Sequence, residues 1–168
     1  MDVKMILAMD EKGTIGKDGG LPWKLKTDLQ RFKKLTVGNG FNAVVMGSKT
    51  WFSLPNAFRP LPDRVNIVMS RNTNLDLKGA ELALYDGRAI EIGYSEGCDE
   101  LWVIGGAQIY ELMLPRCKEV HLTRVHTTVE GRTVNAELHL DEFNEKVVET
   151  LPKSNSDEFE TTYSVFTR

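Results

Sequence analysis

Short apolar runs rich in β-branched residues alternate with helix-like segments along the whole chain. These runs predict seven strands: Val3–Met9, Ala43–Met46, Val65–Met69, Leu101–Ile104, Val120–Val125, Lys146–Thr150 and Thr162–Phe166. The segments between them predict four helices: Leu25–Thr36, Lys49–Leu54, Asp86–Ser95 and Gln108–Leu112. Strands that alternate with helices favour an α/β fold with a largely parallel sheet.

The apolar character of each strand indicates its place in the sheet. Ala43–Met46 and Leu101–Ile104 are apolar almost throughout, as expected for strands that are covered on both faces. The last two predicted strands alternate more between apolar and polar residues, which suits an antiparallel hairpin at one edge. In an open parallel sheet, ligands are expected at the carboxyl ends of the strands.

Size and composition exclude several classes of protein. With 168 residues, 41% hydrophobic and 27% charged, residues 1–168 are expected to form a single globular domain. No apolar stretch approaches the roughly 18 residues of a membrane span, and the N-terminus lacks a signal-peptide pattern. The net charge of −3 argues against a general nucleic-acid binder. We therefore expect a cytoplasmic protein with no membrane or nucleic-acid partner.

The cysteines and histidines give no support for metal or thiol chemistry. Cys98 and Cys117 have no motif spacing, so free, reduced thiols are the default. His121, His126 and His139 lack the spacing of metal ligands, so we expect no metal site. The motifs HExxH, CxxC and GxSxG are absent, which removes support for zinc hydrolysis, dithiol redox chemistry and serine hydrolysis.

Asp28 is the most informative single residue. The segment Leu25–Leu35 carries its apolar residues at helical spacing, and Asp28 is the only charge on their face. A buried carboxylate must be paired, hydrogen-bonded or protonated, and a ligand with adjacent N–H groups would satisfy it. The structural alternative is a capping box formed by Thr27 and Gln30, in which Asp28 is the first helical residue.

Two strand-to-helix junctions indicate an anionic ligand. After the strand at Ala43–Met46, small polar and basic residues open a helix, where free backbone N–H groups and a lysine can bind an anion. After Leu101–Ile104, paired glycines allow the backbone to approach a ligand closely. Neither junction is a Walker or Rossmann motif, and either alone is more often a plain turn. Together with Ser70-Arg71 after a third strand, they suggest an extended phosphate-bearing ligand such as a dinucleotide.

The charge distribution fits that ligand without requiring it. Lys and Arg predominate in residues 1–71, whereas Asp and Glu predominate in residues 137–160. An electropositive half facing a small anion and an ordinary solvated surface would both produce this pattern.

In combination, these motifs closely resemble the dihydrofolate reductase family. They match it in order and approximate spacing from residue 3 to near the end: Ile15-Gly16, Leu21-Pro22-Trp23, Asp28, Met46–Trp51, Leu61–Arg64, Ile104–Tyr110 and Leu122-Thr123. No single motif is decisive, but the combination is highly specific. The resemblance implies a central, mostly parallel sheet of about eight strands, with a C-terminal antiparallel hairpin and about four flanking helices.

The implied activity is NADPH-dependent reduction of 7,8-dihydrofolate to tetrahydrofolate, by hydride transfer to pterin carbon 6 and water-assisted protonation of nitrogen 5. Asp28 would accept hydrogen bonds from the pterin, with support from Thr123. Trp23 would help hold a water near Asp28, and Tyr110 would lie near the nicotinamide. Arg64 would pair bidentately with the α-carboxylate of the glutamate tail. The remaining substrate contacts would be apolar: Ile6, Ala8, Leu21, Phe32, Leu54 and Ile104.

The resemblance also implies how NADPH is held by a monomeric enzyme. The phosphate cradle would be Gly47, Ser48, Lys49 and Thr50, and the site for the 2′-phosphate would be Ser70 and Arg71. Gly105 and Gly106 would lie against the cofactor, and their peptide is cis in this family. Further cofactor contacts would come from Ala8, Ile15, Gly16, Ile104, Ala107, Gln108, Ile109 and Tyr110.

The glycine-rich segment Met9–Leu21 predicts a lid that excludes bulk water, with a plain flexible connection as the alternative. The chain departs from the family pattern at Arg132, where many relatives carry an acid, and in residues 134–138, which lack the usual aromatic-proline step. Lid contacts made by those side chains are therefore not expected here. Ser48-Lys49 replaces a commoner arginine-containing pair, and Asn56–Pro60 belongs to a slightly longer segment.

Two other functions remain open at this point. A related pterin or aminouracil reductase, such as that of riboflavin synthesis, would share the fold, although Trp23, Asp28 and Arg64 suit a pterin with a glutamate tail. A non-catalytic nucleotide-binding or structural protein of the same fold would bind NADPH without oxidising it.

Overall fold

The sequence folds into ten strands and four helices, which the computed structural model describes over residues 1–168. The strands are β1 Asp2–Met9, β2 Thr14–Lys17, β3 Ala43–Gly47, β4 Val65–Met69, β5 Glu81–Ala83, β6 Glu100–Val103, β7 Glu119–Val125, β8 Thr133–Asn135, β9 Asn144–Leu151 and β10 Thr161–Thr167. The helices are α1 Lys26–Val37, α2 Ser48–Ser53, α3 Asp86–Ser95 and α4 Ala107–Met113. Short 3₁₀ turns follow α2 and α4, at Asn56–Phe58 and Leu114–Arg116.

Eight of the strands form one sheet in the order β5-β4-β3-β6-β1-β7-β10-β9. The strands from β5 to β7 are parallel, whereas β10 pairs antiparallel with both β7 and β9. The predicted α/β fold, with a mostly parallel sheet and a C-terminal antiparallel hairpin, is confirmed.

Both faces of the sheet are covered, because the central strands direct alternate side chains to opposite sides. In β1, Met5 and Leu7 pack on the face that carries α3 and α4. Ile6 packs on the other face, with Phe32 of α1 and Trp51 of α2. The nearly continuous apolar sequence of the central strands follows from this double coverage.

The order of the strands creates a crevice at one edge of the sheet. The chain leaves β3 through α2 towards β4 on one side, and it leaves the adjacent β6 through α4 towards β7 in the opposite direction. Connections that diverge from neighbouring parallel strands leave an opening at their carboxyl ends, where ligands bind in such sheets. The carboxyl ends of β1, β3, β4, β6 and β7 all lie at this edge.

Three short strands were not predicted from the sequence. One of them, β5, extends the main sheet beyond β4, while β2 and β8 form a separate two-stranded sheet. Each has only three or four residues, too few for an apolar alternation to stand out.

The predicted capping box at the start of α1 is wrong. The helix begins at Lys26, and its N-cap residue, Leu25, makes no side-chain capping bond. Instead, the distant carboxylate of Asp157 accepts hydrogen bonds from the backbone N–H of Thr27 at 3.0 Å and from the hydroxyl of Thr27 at 2.6 Å. Asp28 is thus the third helical residue, and the N–H groups of the two residues before it, Lys26 and Thr27, are satisfied by tertiary contacts with Ser156 and Asp157. None of the helices is long and apolar enough to cross a membrane.

We expect Asp157→Ala to lower the free energy of unfolding by about 1–2 kcal/mol, because it removes the acceptor at the start of α1. The hydrogen bonds from Thr27 hold the pKa of Asp157 below its usual value. The stabilisation is therefore present at neutral pH and is lost as the pH falls through the folded-state pKa. Urea unfolding at pH 7 checks this, with Asp157→Asn, which retains one acceptor oxygen, as the milder control. Equal stability of Asp157→Ala and the unsubstituted protein would contradict the capping role.

Candidate active site

Asp28 lies at the crevice, where α1 faces the carboxyl ends of β1 and β7. The hydroxyl of Thr123 donates to Asp28 Oδ1 at 2.7 Å. Thr123 is in register with Ala8 on β1, so both predicted contact residues lie beside the carboxylate. The Asp28 side chain is 24% exposed. The acid is therefore partly desolvated and still reachable from the crevice.

The two oxygens of the Asp28 carboxylate are used differently. Oδ1 also accepts a hydrogen bond from Arg31 Nη1 at 3.2 Å, whereas Oδ2 accepts none from the protein. Desolvation raises the pKa of Asp28, and the hydrogen bond from Thr123 and the charge of Arg31 oppose that rise. One oxygen is thus fixed by the protein, and the other is left for N–H groups of a ligand.

The sequence interpretation of this face of α1 needs correction. Asp28 was expected to be its only charge, but Arg31 one turn further along forms an ion pair with it. Leu29, expected to flank the acid on an apolar face, is 54% exposed. The spacing of three residues between an acid and an arginine is the signal that could have revealed the pair.

The two glycine junctions meet at the crevice. The N–H of Gly47 donates to the carbonyl of Gly105 at 2.9 Å, and the Gly105–Gly106 peptide is cis, as the resemblance implied. A Cβ atom on Gly47 would lie 3.1 Å from the side chain of Ile109. At Gly105, where φ is +125°, a Cβ atom would lie 3.3 Å from the hydroxyl of Tyr110. The positive φ therefore favours glycine at position 105, a side chain at position 47 would crowd Ile109, and the two junctions lie against each other.

Tyr110 links these junctions to a predicted substrate residue. Its hydroxyl donates to the carbonyl of Ile6 at 2.9 Å. Burial and the negative charge of Asp28 both raise the pKa of Tyr110, so the phenol stays protonated. Because Tyr110 is hydrogen-bonded to Ile6 and lies against Gly105, predicted substrate and cofactor residues are neighbours here.

Most of the predicted apolar walls come together. Ile6, Phe32, Leu54 and Ile104 belong to one cluster on the α1 face of the sheet. Ala8 packs in a smaller cluster with Trp23. Leu21 is 63% exposed and belongs to neither cluster. The predicted apolar walls therefore lie between α1 and the sheet.

Arg64 is held in a fixed orientation near the outer end of α1. Its Nε donates to the carbonyl of Pro62 at 2.8 Å, and its Nη1 donates to the hydroxyl of Thr36 at 2.9 Å. Burial lowers the pKa of Arg64, although a guanidinium remains charged at neutral pH. Anchoring by the protein leaves the other guanidinium hydrogens for an anionic partner.

The predicted phosphate residues lie along the same sheet edge. Gly47 is in register with Met69, so Ser70 and Arg71 follow β4 directly beside the start of α2. Arg71 and Lys49 are both exposed. The Ser70 hydroxyl accepts a hydrogen bond from the N–H of Asn72 at 3.1 Å. A row of polar and cationic groups therefore borders the glycine junctions.

The predicted lid is held by backbone contacts. Gly16 and Lys17 in β2 pair with Val134 and Thr133 in β8, and the N–H of Asp18 donates to the carbonyl of Arg132 at 3.2 Å. Ile15 packs against the main core cluster. The predicted lid segment thus contacts residues 132–135 through its backbone, and these contacts do not need an acidic side chain at position 132.

Asp10 anchors the base of the lid and was missed by the sequence analysis. Its carboxylate is fully buried and accepts hydrogen bonds from the N–H groups of Lys12, Thr14 and Val129, each at 2.8 Å. Asp often begins a turn in which its side chain accepts a hydrogen bond from the N–H two residues later, and Asp10 with Gly13 shortly after it could have been recognised as such a turn.

No group of three or more His, Cys, Asp or Glu side chains is arranged to hold a metal ion.

Comparison with known proteins gives the family. The family model for dihydrofolate reductase matches residues 2–168. A dihydrofolate reductase of Mycobacterium leprae is 46% identical over 125 residues, which cover 74% of this chain and 73% of that protein. One from Staphylococcus haemolyticus is 31% identical over 170 aligned residues, covering 100% of this chain and 96% of the other. Among solved structures, a dihydrofolate reductase from Enterococcus faecalis complexed with NADP(H) and RAB-propyl is 30% identical, with a TM-score of 0.78 over 99% of this chain and 96% of that one.

The fold and the crevice together are those of an α/β oxidoreductase that binds its ligands at the carboxyl ends of parallel strands. The family match covers nearly the whole chain, and the solved relative carries NADP(H). The chain belongs to the dihydrofolate reductase family. The resemblance inferred from the sequence and NADPH as the family's cofactor are confirmed.

We expect Asp10→Ala to lower the free energy of unfolding by about 2–4 kcal/mol, because it leaves buried N–H groups of the lid base without an acceptor. Burial alone would raise the pKa of Asp10, but the backbone N–H groups outweigh it and hold the pKa below its usual value. The stabilisation is thus present at neutral pH and is lost as the pH falls through the folded-state pKa. Urea unfolding measures the loss, and faster amide exchange at Thr14 and Val129 locates it.

Asp10→Asn is the matched control, since it keeps one acceptor oxygen and should lose less stability. Unchanged amide exchange at both positions in Asp10→Ala would show that Asp10 does not anchor the lid.

Proposed function

We propose that this chain reduces 7,8-dihydrofolate to tetrahydrofolate with NADPH, by hydride transfer to pterin carbon 6 and water-assisted protonation of nitrogen 5. The observation that carries the proposal is the Asp28 carboxylate. It is partly desolvated, has one oxygen fixed by Thr123 and the other without a protein donor, and shares a site with the glycine junctions through Tyr110. Membership of the dihydrofolate reductase family supports the same reaction.

The pterin would lie between α1 and the ends of β1 and β6. Oδ2 of Asp28 would accept from the 2-amino group and a ring N–H of the pterin, while Thr123 keeps the carboxylate in place. Trp23, buried in the cluster next to Ala8, would help hold a water near the acid. The apolar walls described above would enclose the rings, with Leu21 contributing from the lid. Such enclosure strengthens the field of the carboxylate because it removes competing water.

The glutamate tail of the substrate would reach Arg64. A guanidinium presents paired N–H donors that match a carboxylate, and the contacts to Pro62 and Thr36 hold it ready to do so. Pre-orientation of this kind reduces the entropy that is lost on binding. We infer that Arg64 determines the preference for a substrate with a carboxylate tail.

The residues at the sheet edge fit NADPH. Neither α2 nor α4 has a side-chain cap at its N-terminus, so their backbone N–H groups are available to the cofactor. Gly47, Ser48, Lys49 and Thr50 would hold the diphosphate, and Ser70 with Arg71 would hold the 2′-phosphate. The turn from Ile104 to Tyr110 would lie along the nicotinamide half, with Ala8, Ile15 and Gly16 closing it from the β1 side. When bound, NADPH supplies the hydride.

Asp28 would promote the accompanying protonation without itself touching nitrogen 5. Its charge orients the pterin and raises the proton affinity of the ring, while a water delivers the proton. The lid would limit how many waters reach the site. The same proposal takes the chain as one catalytic domain that acts as a monomer in the cytoplasm. The eight-stranded sheet, which contains strands from both ends of the chain, supports the single domain.

An assay of NADPH oxidation in the presence of dihydrofolate, with an aminouracil ribityl phosphate as the second substrate, tests the proposal. We expect turnover of dihydrofolate only. Turnover of the aminouracil alone would assign the chain to a related reductase activity. NADPH binding without oxidation of either substrate would assign it to a non-catalytic nucleotide binder.

We expect Asp28→Asn to reduce turnover at neutral pH by roughly 10²- to 10⁴-fold, since the amide has no charge to polarise the pterin. The asparagine can still accept the hydrogen bond from Thr123, so the fold should be retained. Steady-state kinetics measure the loss, and unchanged NADPH affinity and thermal unfolding provide the controls. Full activity of the variant at neutral pH would remove Asp28 from the mechanism.

We expect Arg64→Leu to weaken dihydrofolate binding by about 2–4 kcal/mol, because it removes charge-assisted hydrogen bonds to the glutamate tail. Fluorescence titration with dihydrofolate measures the effect. A dihydropterin without the tail is the matched ligand and should bind both proteins equally. If both ligands lost affinity to the same extent, Arg64 would be acting on the shape of the pocket and not on the tail.

A further inference from the structure

Arg31 bridges the proposed acid to a strand at the far edge of the sheet. Its Nη1 lies 3.2 Å from Asp28 Oδ1, and its Nη2 lies 2.8 Å from Glu149 Oε2 on β9. The arginine side chain is only 12% exposed. One guanidinium thus serves two carboxylates from different elements, with little water between them.

The guanidinium of Arg31 packs against the aromatic ring of Tyr163. Its central carbon lies 4.1 Å from the ring centroid of Tyr163 on β10. The hydroxyl of Tyr163 is itself bound to His121 Nδ1 at 2.6 Å, and His121 Nε2 contacts Glu119 at 3.0 Å. Stacking on a buried ring with a fixed hydroxyl restricts the arginine to one plane.

The charge of Asp28 is balanced mainly by Arg31. Burial lowers the pKa of His121, so the imidazole adds no positive charge at neutral pH. The other acid that acts on Asp28, Asp157, works in the opposite direction to Arg31. Arg31 from α1 and Thr123 from β7 contact the Asp28 carboxylate, and three further titratable groups are within electrostatic reach of it: Tyr110 from α4, Tyr163 from β10 and Asp157 from the segment before β10.

We propose that Arg31 is a positioning residue for the reaction, which keeps the Asp28 carboxylate charged and in one orientation when ligands exclude water from the crevice. The proposal rests on the proposed function, in which Asp28 is the acid that receives the pterin. Because Arg31 and Thr123 both bind Oδ1, they fix the carboxylate while Oδ2 stays available. Glu149 limits the positive charge that the substrate meets.

A second ion pair in the chain provides a matched control. Arg88 and Glu91 on α3 have the same spacing of three residues and the same Nη1 to oxygen distance of 3.2 Å. Their side chains are 49% and 60% exposed, so the pair is screened by water. Arg88→Gln therefore makes the same chemical change as Arg31→Gln at a site that is remote from the crevice.

The test is a carbon-13 NMR titration of the Asp28 carboxyl group in the unliganded protein, with the signal assigned by its loss in Asp28→Asn. We expect Arg31→Gln to raise the proton affinity of Asp28 by about tenfold, since a close opposite charge is removed. Glu149→Gln changes a half-exposed side chain and leaves Asp28 as the only charged partner of Arg31. It should therefore lower the proton affinity of Asp28. Arg88→Gln should leave it unchanged.

The pH midpoint of kcat/KM for dihydrofolate should follow the NMR titration in each variant. A titration of Asp28 that is the same in Arg31→Gln as in the unsubstituted protein would overturn the proposal, as would an upward shift in Glu149→Gln. Should Arg31→Gln fail to fold, the direction of the shift in Glu149→Gln still decides the matter. The NMR readout needs no turnover, so an inactive unsubstituted protein would contradict the proposed function and not the role of Arg31.

Discussion

Desolvation of the Asp28 carboxylate is the constraint on which the rest of the site depends. An acid in a partly dry crevice is costly unless hydrogen bonds and an opposite charge compensate for the lost water. Thr123 and Arg31 supply both at one oxygen. Thr123 lies on β7 and Arg31 packs on Tyr163 of β10, so the groups that compensate the carboxylate also connect α1 to both strands.

The topology places the other parts of the site around that acid. Because the neighbouring strands β3 and β6 send their connections in opposite directions, their carboxyl ends are left uncovered by the following chain. The glycine turn after β6 then lies beside the one after β3, and the hydrogen bond from Gly47 to Gly105 joins them. The chemistry is thus concentrated where the fold leaves backbone groups free.

The sequence predicted the fold wherever long apolar patterns determine it. All seven predicted strands and four predicted helices are present. Most of them bury enough apolar surface to show a period, whereas β9 is exposed at the edge of the sheet and was found by its alternation. Prediction failed where a distant segment decides the structure. The strands β2 and β8 pair only with each other, although more than 100 residues separate them in the sequence. The start of α1 is capped by Asp157, which lies near the other end of the chain. The sequence around each of these elements does not indicate which distant residues it contacts.

The candidate site divides in the same way. Asp28, Thr123, Arg64 and the glycine turns could be proposed in advance because they occur in motifs that resemble a known family, and their contacts agree with the proposed roles. Arg31 and Asp10 could not be proposed from those motifs. Their importance comes from burial and from partners elsewhere in the chain, including Glu149 and Val129, which only the folded structure brings within reach.

The way the lid is held also bears on how freely this protein can diverge. Its contacts with residues 132–135 are made chiefly by main-chain N–H and carbonyl groups, which every residue except proline provides in full. Side chains in residues 132–135 can therefore vary while these main-chain contacts persist, and the contact at Arg132 uses only its carbonyl. Natural selection on this segment should act mainly against proline and against insertions that break the register.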